Sequence, residues 1–184
     1  MRYGLEQFCA DAHDDLMVDP GPKGREKVRQ NLERLLSDPK ESEILRNAYW
    51  EPGANIIHHD TETGIYVLGH LHNKDGRRGP HDHGSSWAIY GNVSGHTDMT
   101  VWRRLDDGTE AGHAEIEPDQ EYRIEPGMAK LYNEGAIHSI SYPAETRLIR
   151  ITGTDLMQET VKRFDPEKQL VVAHDRSQDS AAAQ

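Results

Sequence analysis

Hydrophobic positions divide the chain into two textures. Up to residue 51 they recur at helical spacing: Leu5, Phe8, Cys9 and Leu16 in one segment, then Val28, Leu32, Leu35 and Leu36 as an i, i+4, i+7, i+8 stripe within REKVRQNLERLLSD. Asp19, Pro20, Gly21 and Pro22 separate these two helices. Ser37, Asp38 and Pro39 close the second and start a short third through SEILRNA, with the proline near its first turn. From Ile56 onward the pattern shortens to strand-sized runs between turn residues. Strands are predicted at 64–72, 86–93, 96–105, 121–124, 129–133, 138–142 and 146–152, with turns at 74–79, 106–108, 126–127 and Pro143. Helices first and many short strands afterwards exclude a doubly wound parallel sheet and predict a sandwich or barrel. The expected organisation is a helical segment over 1–51 packed on a barrel over 52–172, whose C-terminal extension holds a short helix in LMQETVKRF. Residues 173–184, ending RSQDSAAAQ, have the composition of a disordered tail.

Composition narrows the partners. The chain has 184 residues, suited to one domain with added elements, and a net charge of −11. That charge argues against nucleic acid or an anionic membrane, either of which would be met by a basic patch. No apolar run approaches the roughly 18 residues of a spanning helix, and the opening MRYGLEQFCADAHDD lacks the apolar core of a signal peptide, so a cytoplasmic location is expected. A single cysteine, Cys9, excludes an intrachain disulfide framework and a thiolate-rich zinc cluster, and its place on a helical stripe reads as packing. With eleven histidines in the chain, a transition metal would be held by imidazole.

The candidate chemistry lies in residues 79–95, GPHDHGSSWAIYGNVSG. His81 and His83 stand two apart ahead of an apolar run, so both imidazoles should leave the same face of an opening strand. The best candidate for a third ligand is His138, which follows a glycine turn in GMAKLYNEGAIHSISY. Continuing the alternation from the histidines turns Trp87 inward and Tyr90 outward, unless a bulge after Gly84 inverts the two.

These two motifs resemble those of the cupin superfamily, a double-stranded β-helix barrel with a metal at its mouth. The second runs Gly127, five residues, Asn133 at a position usually proline, Gly135, then His138. Where many cupins place a glutamate ligand, this chain has Trp87 or Ala88, so the resemblance implies a site of His81, His83 and His138 alone. Within the superfamily, four features resemble the cysteine dioxygenase and wider thiol dioxygenase family: IIHHDTETGIYVLGHLH, PHDHGSSWAIYGNVSG, the three-histidine set, and RLIRITGTDL followed by RFDP. That resemblance implies a mononuclear non-haem iron(II) enzyme that oxidises a small thiol to a sulfinate with dioxygen. Nickel, zinc, manganese and copper remain open as metals, as do monomer and homodimer as states.

The chain departs from this family pattern at several positions. No arginine stands at His58 or His59, where the family grips a substrate carboxylate. The family's Ser, His, Tyr relay falls on Leu148, Arg150 and Thr152, and its crosslinking cysteine falls on Ala88. Catalytic acid and base are therefore unassigned. Arg150, on a strand face shared with Leu148 and Thr152, is the first candidate for a carboxylate fork, with His59, His72, Trp87 and Tyr90 as further candidates for the substrate site. His58 and His70 could extend a polar lining; His96 and His113 receive no role. Other readings stay open: a cupin that cleaves a carbon–carbon bond in a diketone-like substrate, a metal-dependent lyase or isomerase, or a noncatalytic cupin that binds metal or ligand.

Overall fold

The structure is a computed structural model and is described here for residues 3–177. Three helices come first: α1 (Leu5–Val18), α2 (Pro22–Ser37) and α3 (Pro39–Asn47). The stripes read from the sequence are their buried faces, with Phe8, Cys9, Ala12 and Leu16 on α1 and Val28, Leu32, Leu35 and Leu36 on α2. Pro22 begins α2, where its missing N–H costs nothing, and the Asp38 carboxylate caps α3 by accepting from the Lys40 and Glu41 amides. Gly24 lets α2 meet the end of α1, because a Cβ there would lie 1.8 Å from the Asp19 carbonyl oxygen. Among the described residues no helix is long and apolar enough to cross a membrane.

The rest is a mainly β body of two antiparallel sheets. Its strands are β1 (Gly53–His59), β2 (Tyr66–His72), β3 (Gly76–His81), β4 (Ala88–Ser94), β5 (Thr97–Arg104), β6 (Ile116–Ile124), β7 (Ala129–Tyr132), β8 (Ile137–Tyr142), β9 (Thr146–Thr152), β10 (Thr160–Asp165) and β11 (Leu170–Asp175). They form two sheets, of order β1-β2-β9-β4-β7 and β11-β10-β3-β8-β5-β6, in which every strand pair is antiparallel.

Two apolar layers separate along the five-stranded sheet. Ile89, Val93, Ile149 and Ile151 share a core with the helices, whereas Ala88, Tyr90 and Leu148 share one with Met99, Ile124 and Ile140 of the opposite sheet. Strict alternation on β4 and β9 divides the two sets. Gly91 admits the helices onto the outer face, since a Cβ there would lie 2.6 Å from Leu36 Cδ1 and 2.7 Å from Leu32 Cδ2.

Several expected elements differ. Residues 76–79, read as turn, belong to β3, whose Gly76, Gly79 and Pro80 conceal a strand held by pairing with β8 and β10. The His81 and His83 pair therefore closes one strand and leads into the next, instead of opening one. The helix expected in LMQETVKRF is only a 3-10 turn at Leu156–Gln158, after which β10 pairs with β11. Strands β1 and β11 are additions, and β11 continues through Asp175, into the stretch expected to be disordered. The remainder of that tail, 178–184, lies outside the described residues.

Candidate metal centre

His81 and His138 are direct cross-strand partners on β3 and β8, which sets their rings 4.7 Å apart between centroids. His83 follows one turnless residue later and brings its ring within 4.8 Å of His138 and 5.6 Å of His81. One nitrogen from each lies within 4.8 Å of the others, and no carboxylate belongs to this cluster among the described residues.

The segment carrying the pair is held by the residue between them. Asp82 is buried and accepts hydrogen bonds from the Gly84 amide at 3.0 Å and the Lys162 amide at 2.7 Å, while its own amide donates to the Lys162 carbonyl. Gly84, at φ +65, then turns the chain toward β4. Sequence reasoning passed over Asp82 because a lone acid between two histidines looks like solvated charge.

Each imidazole is suited to bind a cation in its neutral form. His81 Nδ1 donates to the Gly79 carbonyl at 2.9 Å, which leaves Nε2 as its free lone pair. His83 Nε2 lies 3.2 Å from the Tyr90 hydroxyl. His138 is fully buried, and neither of its ring nitrogens has a hydrogen-bond partner of good geometry. Burial lowers all three pKa values: His138 to about 3, with the His81 charge adding and the Ala136 carbonyl opposing; His83 well below the usual range, with His138 next; and His81 more modestly. Two buried nitrogens without partners are costly in a core, and a metal at His138 would engage one of them. The donor set therefore fits a metal ion.

Around the cluster is an inner cavity of about 50 Å³ lined by His70, His72, Arg78, His81, His83, Tyr90, Ile140, Tyr142, Leu148, Arg150 and Arg176. It adjoins an outer cavity of about 400 Å³ with which it shares His70, His72, Arg78, Tyr142, Arg150 and Arg176. Arg150 lies between Leu68 of β2 and Tyr90 of β4 in register, and its Nε is buried without a partner. His72 stacks on Tyr142 at 3.7 Å, and burial lowers its pKa to about 4. Burial, and after it the Arg150 charge, lowers the His70 pKa well below the usual histidine range.

Two expected lining residues are elsewhere. Trp87 sits on the helix side of the sheet, under the Arg25 guanidinium and against Gly153, where a Cβ would lie 2.4 Å from the indole Nε1. The turn at Gly84 breaks the alternation between His83 and Trp87, so Tyr90 is the residue that faces inward. His59 stacks on Tyr66 at 4.0 Å and lines a groove against α1 with Cys9, His13 and Asp60, outside both cavities. Arg78 and Arg176 were missed, for the strands that deliver them were read as turn and as tail. A period-two reading of 76–81 was the available signal for Arg78.

No family model matches the chain, and no curated protein matches it. Solved structures do. KdgF from Halomonas sp. is 17% identical over 57% of this chain and 83% of that one, with a TM-score of 0.38. Hydroquinone 1,2-dioxygenase PnpCD, determined with Cd2+ and 4-hydroxybenzonitrile, is 10% identical over 60% and 68%, with a TM-score of 0.42. A cupin superfamily protein from Desulfitobacterium hafniense is 10% identical over 61% and 88%, with a TM-score of 0.39. These are distant likenesses of fold; the chemistry is read from this chain's own side chains.

Proposed function

We propose that the chain is a mononuclear metal oxygenase that oxidises the sulfur of a small thiol to a sulfinate. The observation that carries this reading is His138, buried with both nitrogens unpartnered beside two further neutral imidazoles. His81, His83 and His138 would hold the metal, and iron(II) is the choice that follows from the resemblance to thiol dioxygenases. Bound there, iron(II) supplies open positions at which a thiolate and dioxygen can be brought together. In the net reaction the thiolate and dioxygen become a sulfinate, both oxygen atoms end on sulfur, and sulfur gives up the four electrons that dioxygen takes. No separate reductant is required.

The chain's own residues orient the substrate. Arg150 offers a guanidinium fork for an anionic end, and the Tyr90 hydroxyl, beside His83, can donate a proton in a hydrogen bond to an oxygen held at the inner cavity. His70 and His72, kept neutral, add polar lining without negative charge. Leu148 and Ile140 help to exclude water from the small inner space.

The test is metal content of anaerobically purified protein followed by oxygen consumption against a panel of small thiols, with a diketone as control. About one iron per chain and thiol-dependent uptake that yields sulfinate is the expected result. Uptake with the diketone alone would replace sulfur oxidation by carbon–carbon cleavage. Bound metal with no uptake at all would remove the oxygenase reading.

A further inference from the structure

The charge around the histidines is opposite to the charge of the chain. The protein carries 32 acidic and 21 basic residues, yet among the described residues the inner cavity is lined by Arg78, Arg150 and Arg176 and by no carboxylate. The outer cavity adds one acid, Asp155, whose side chain accepts from the Met157 amide at the start of the 3-10 turn. A further cavity of about 290 Å³ is lined by His81 together with Arg78, Arg163 and Arg176, again without a carboxylate among the described residues. The side chains of Arg78 and Arg150 make no hydrogen bond or ion pair within the described residues.

Position adds to the argument. Arg150 comes from β9 of the five-stranded sheet, whereas Arg78 comes from β3 of the six-stranded sheet and Arg176 directly follows β11 at that sheet's edge. The guanidiniums thus approach one space from two walls. Arg78 and Arg150, on opposite walls and without a counter-charge among the described residues, leave the space positive, and a cleft lined by one sign of charge concentrates ions of the other. One carboxylate occupies one planar fork. It would leave the Arg78 guanidinium on the opposite wall uncompensated.

We infer, resting on the reading of this cavity as the substrate chamber, that the substrate is a small dianion: a thiol with two acid groups, one gripped by Arg150 and the other by Arg78, with Arg176 bordering the same space.

Calorimetric titration of the full-length protein after chelation of metal tests this, with succinate and propionate as probes. Succinate is expected to bind at least about tenfold more tightly than propionate, a preference that added salt erodes. Arg78→Gln should bring succinate close to propionate, Arg78→Lys should retain most of the preference, and Arg150→Gln should weaken both ligands. Equal affinities in the parent protein would overturn the inference. So would a succinate preference that survives the double change Arg78→Gln and Arg176→Gln. Because these titrations use neither metal nor oxygen, they separate from the proposed reaction: a succinate preference without thiol-dependent oxygen uptake removes the thiol chemistry and leaves the dianion site. Uptake with no succinate preference removes the dianion site alone.

Discussion

Strands β4 and β9 have two unlike faces. Outward, Ile89, Val93, Ile149 and Ile151 are fully buried against the helices; inward, Tyr90, Arg150 and Thr152 border the cavities with the histidines. The same backbone, read at odd and even positions, carries an apolar face and a polar one. The difference teaches that stability and chemistry here are assigned by side of the sheet, so changes on one side should leave the other side's property intact.

The largest expected effect is on the inner side. His138→Ala should lower metal content by more than about tenfold while the melting temperature stays close to that of the parent, because one ligand of three is lost and the orphaned nitrogens go with it. Metal analysis with a thermal scan checks both halves, and unchanged metal content would defeat the ligand assignment. Next comes the outer side: Leu32→Ala, which opens space between α2 and Gly91, should cost about 3 kcal/mol in urea unfolding without changing metal content per folded chain. A loss of metal in that folded variant would mean that the two faces are coupled.

The smallest effect is the share of His72 in a pH dependence of the inner side. His70 and His72 are held neutral in the folded chain, His72 with a pKa of about 4, whereas an unfolded histidine titrates near about 6.5. Between those values the unfolded chain binds more protons than the folded one, so stability is complete above the unfolded value and declines as pH falls toward 4. The expected loss from His72 is on the order of 1 kcal/mol, measured by urea unfolding of metal-free protein across that window. His72→Gln should reduce the slope by that share, leaving the part due to His70 and to the likewise neutral His81, His83 and His138. A slope unchanged in that variant would remove His72 from the titrating set.

Much of the apolar side was legible in the sequence. Val28, Leu32, Leu35 and Leu36 make a helical stripe because packing and propensity agree there. Residues 146–152 read as a strand with the bounds they have. The three histidines were legible as a group because glycine turns frame them. Less visible was everything that long-range pairing creates. Gly76, Gly79 and Pro80 are poor strand formers, and only the neighbours β8 and β10 make β3 of them. Strands β10 and β11 likewise support each other across a turn, in a segment whose local pattern suggested a helix and a tail. Arg78 and Arg176 were hidden with those strands. Tyr90 and Trp87 exchanged faces for a local reason, the Gly84 turn, which resets the count between a histidine and the strand that follows it.

The grip of Asp82 on the Lys162 amide spans 80 positions of sequence. The histidine cluster is thus completed by parts far apart in sequence. A chain truncated before residue 160 would carry all three histidines and still lack the clasp that holds the residue between two of them.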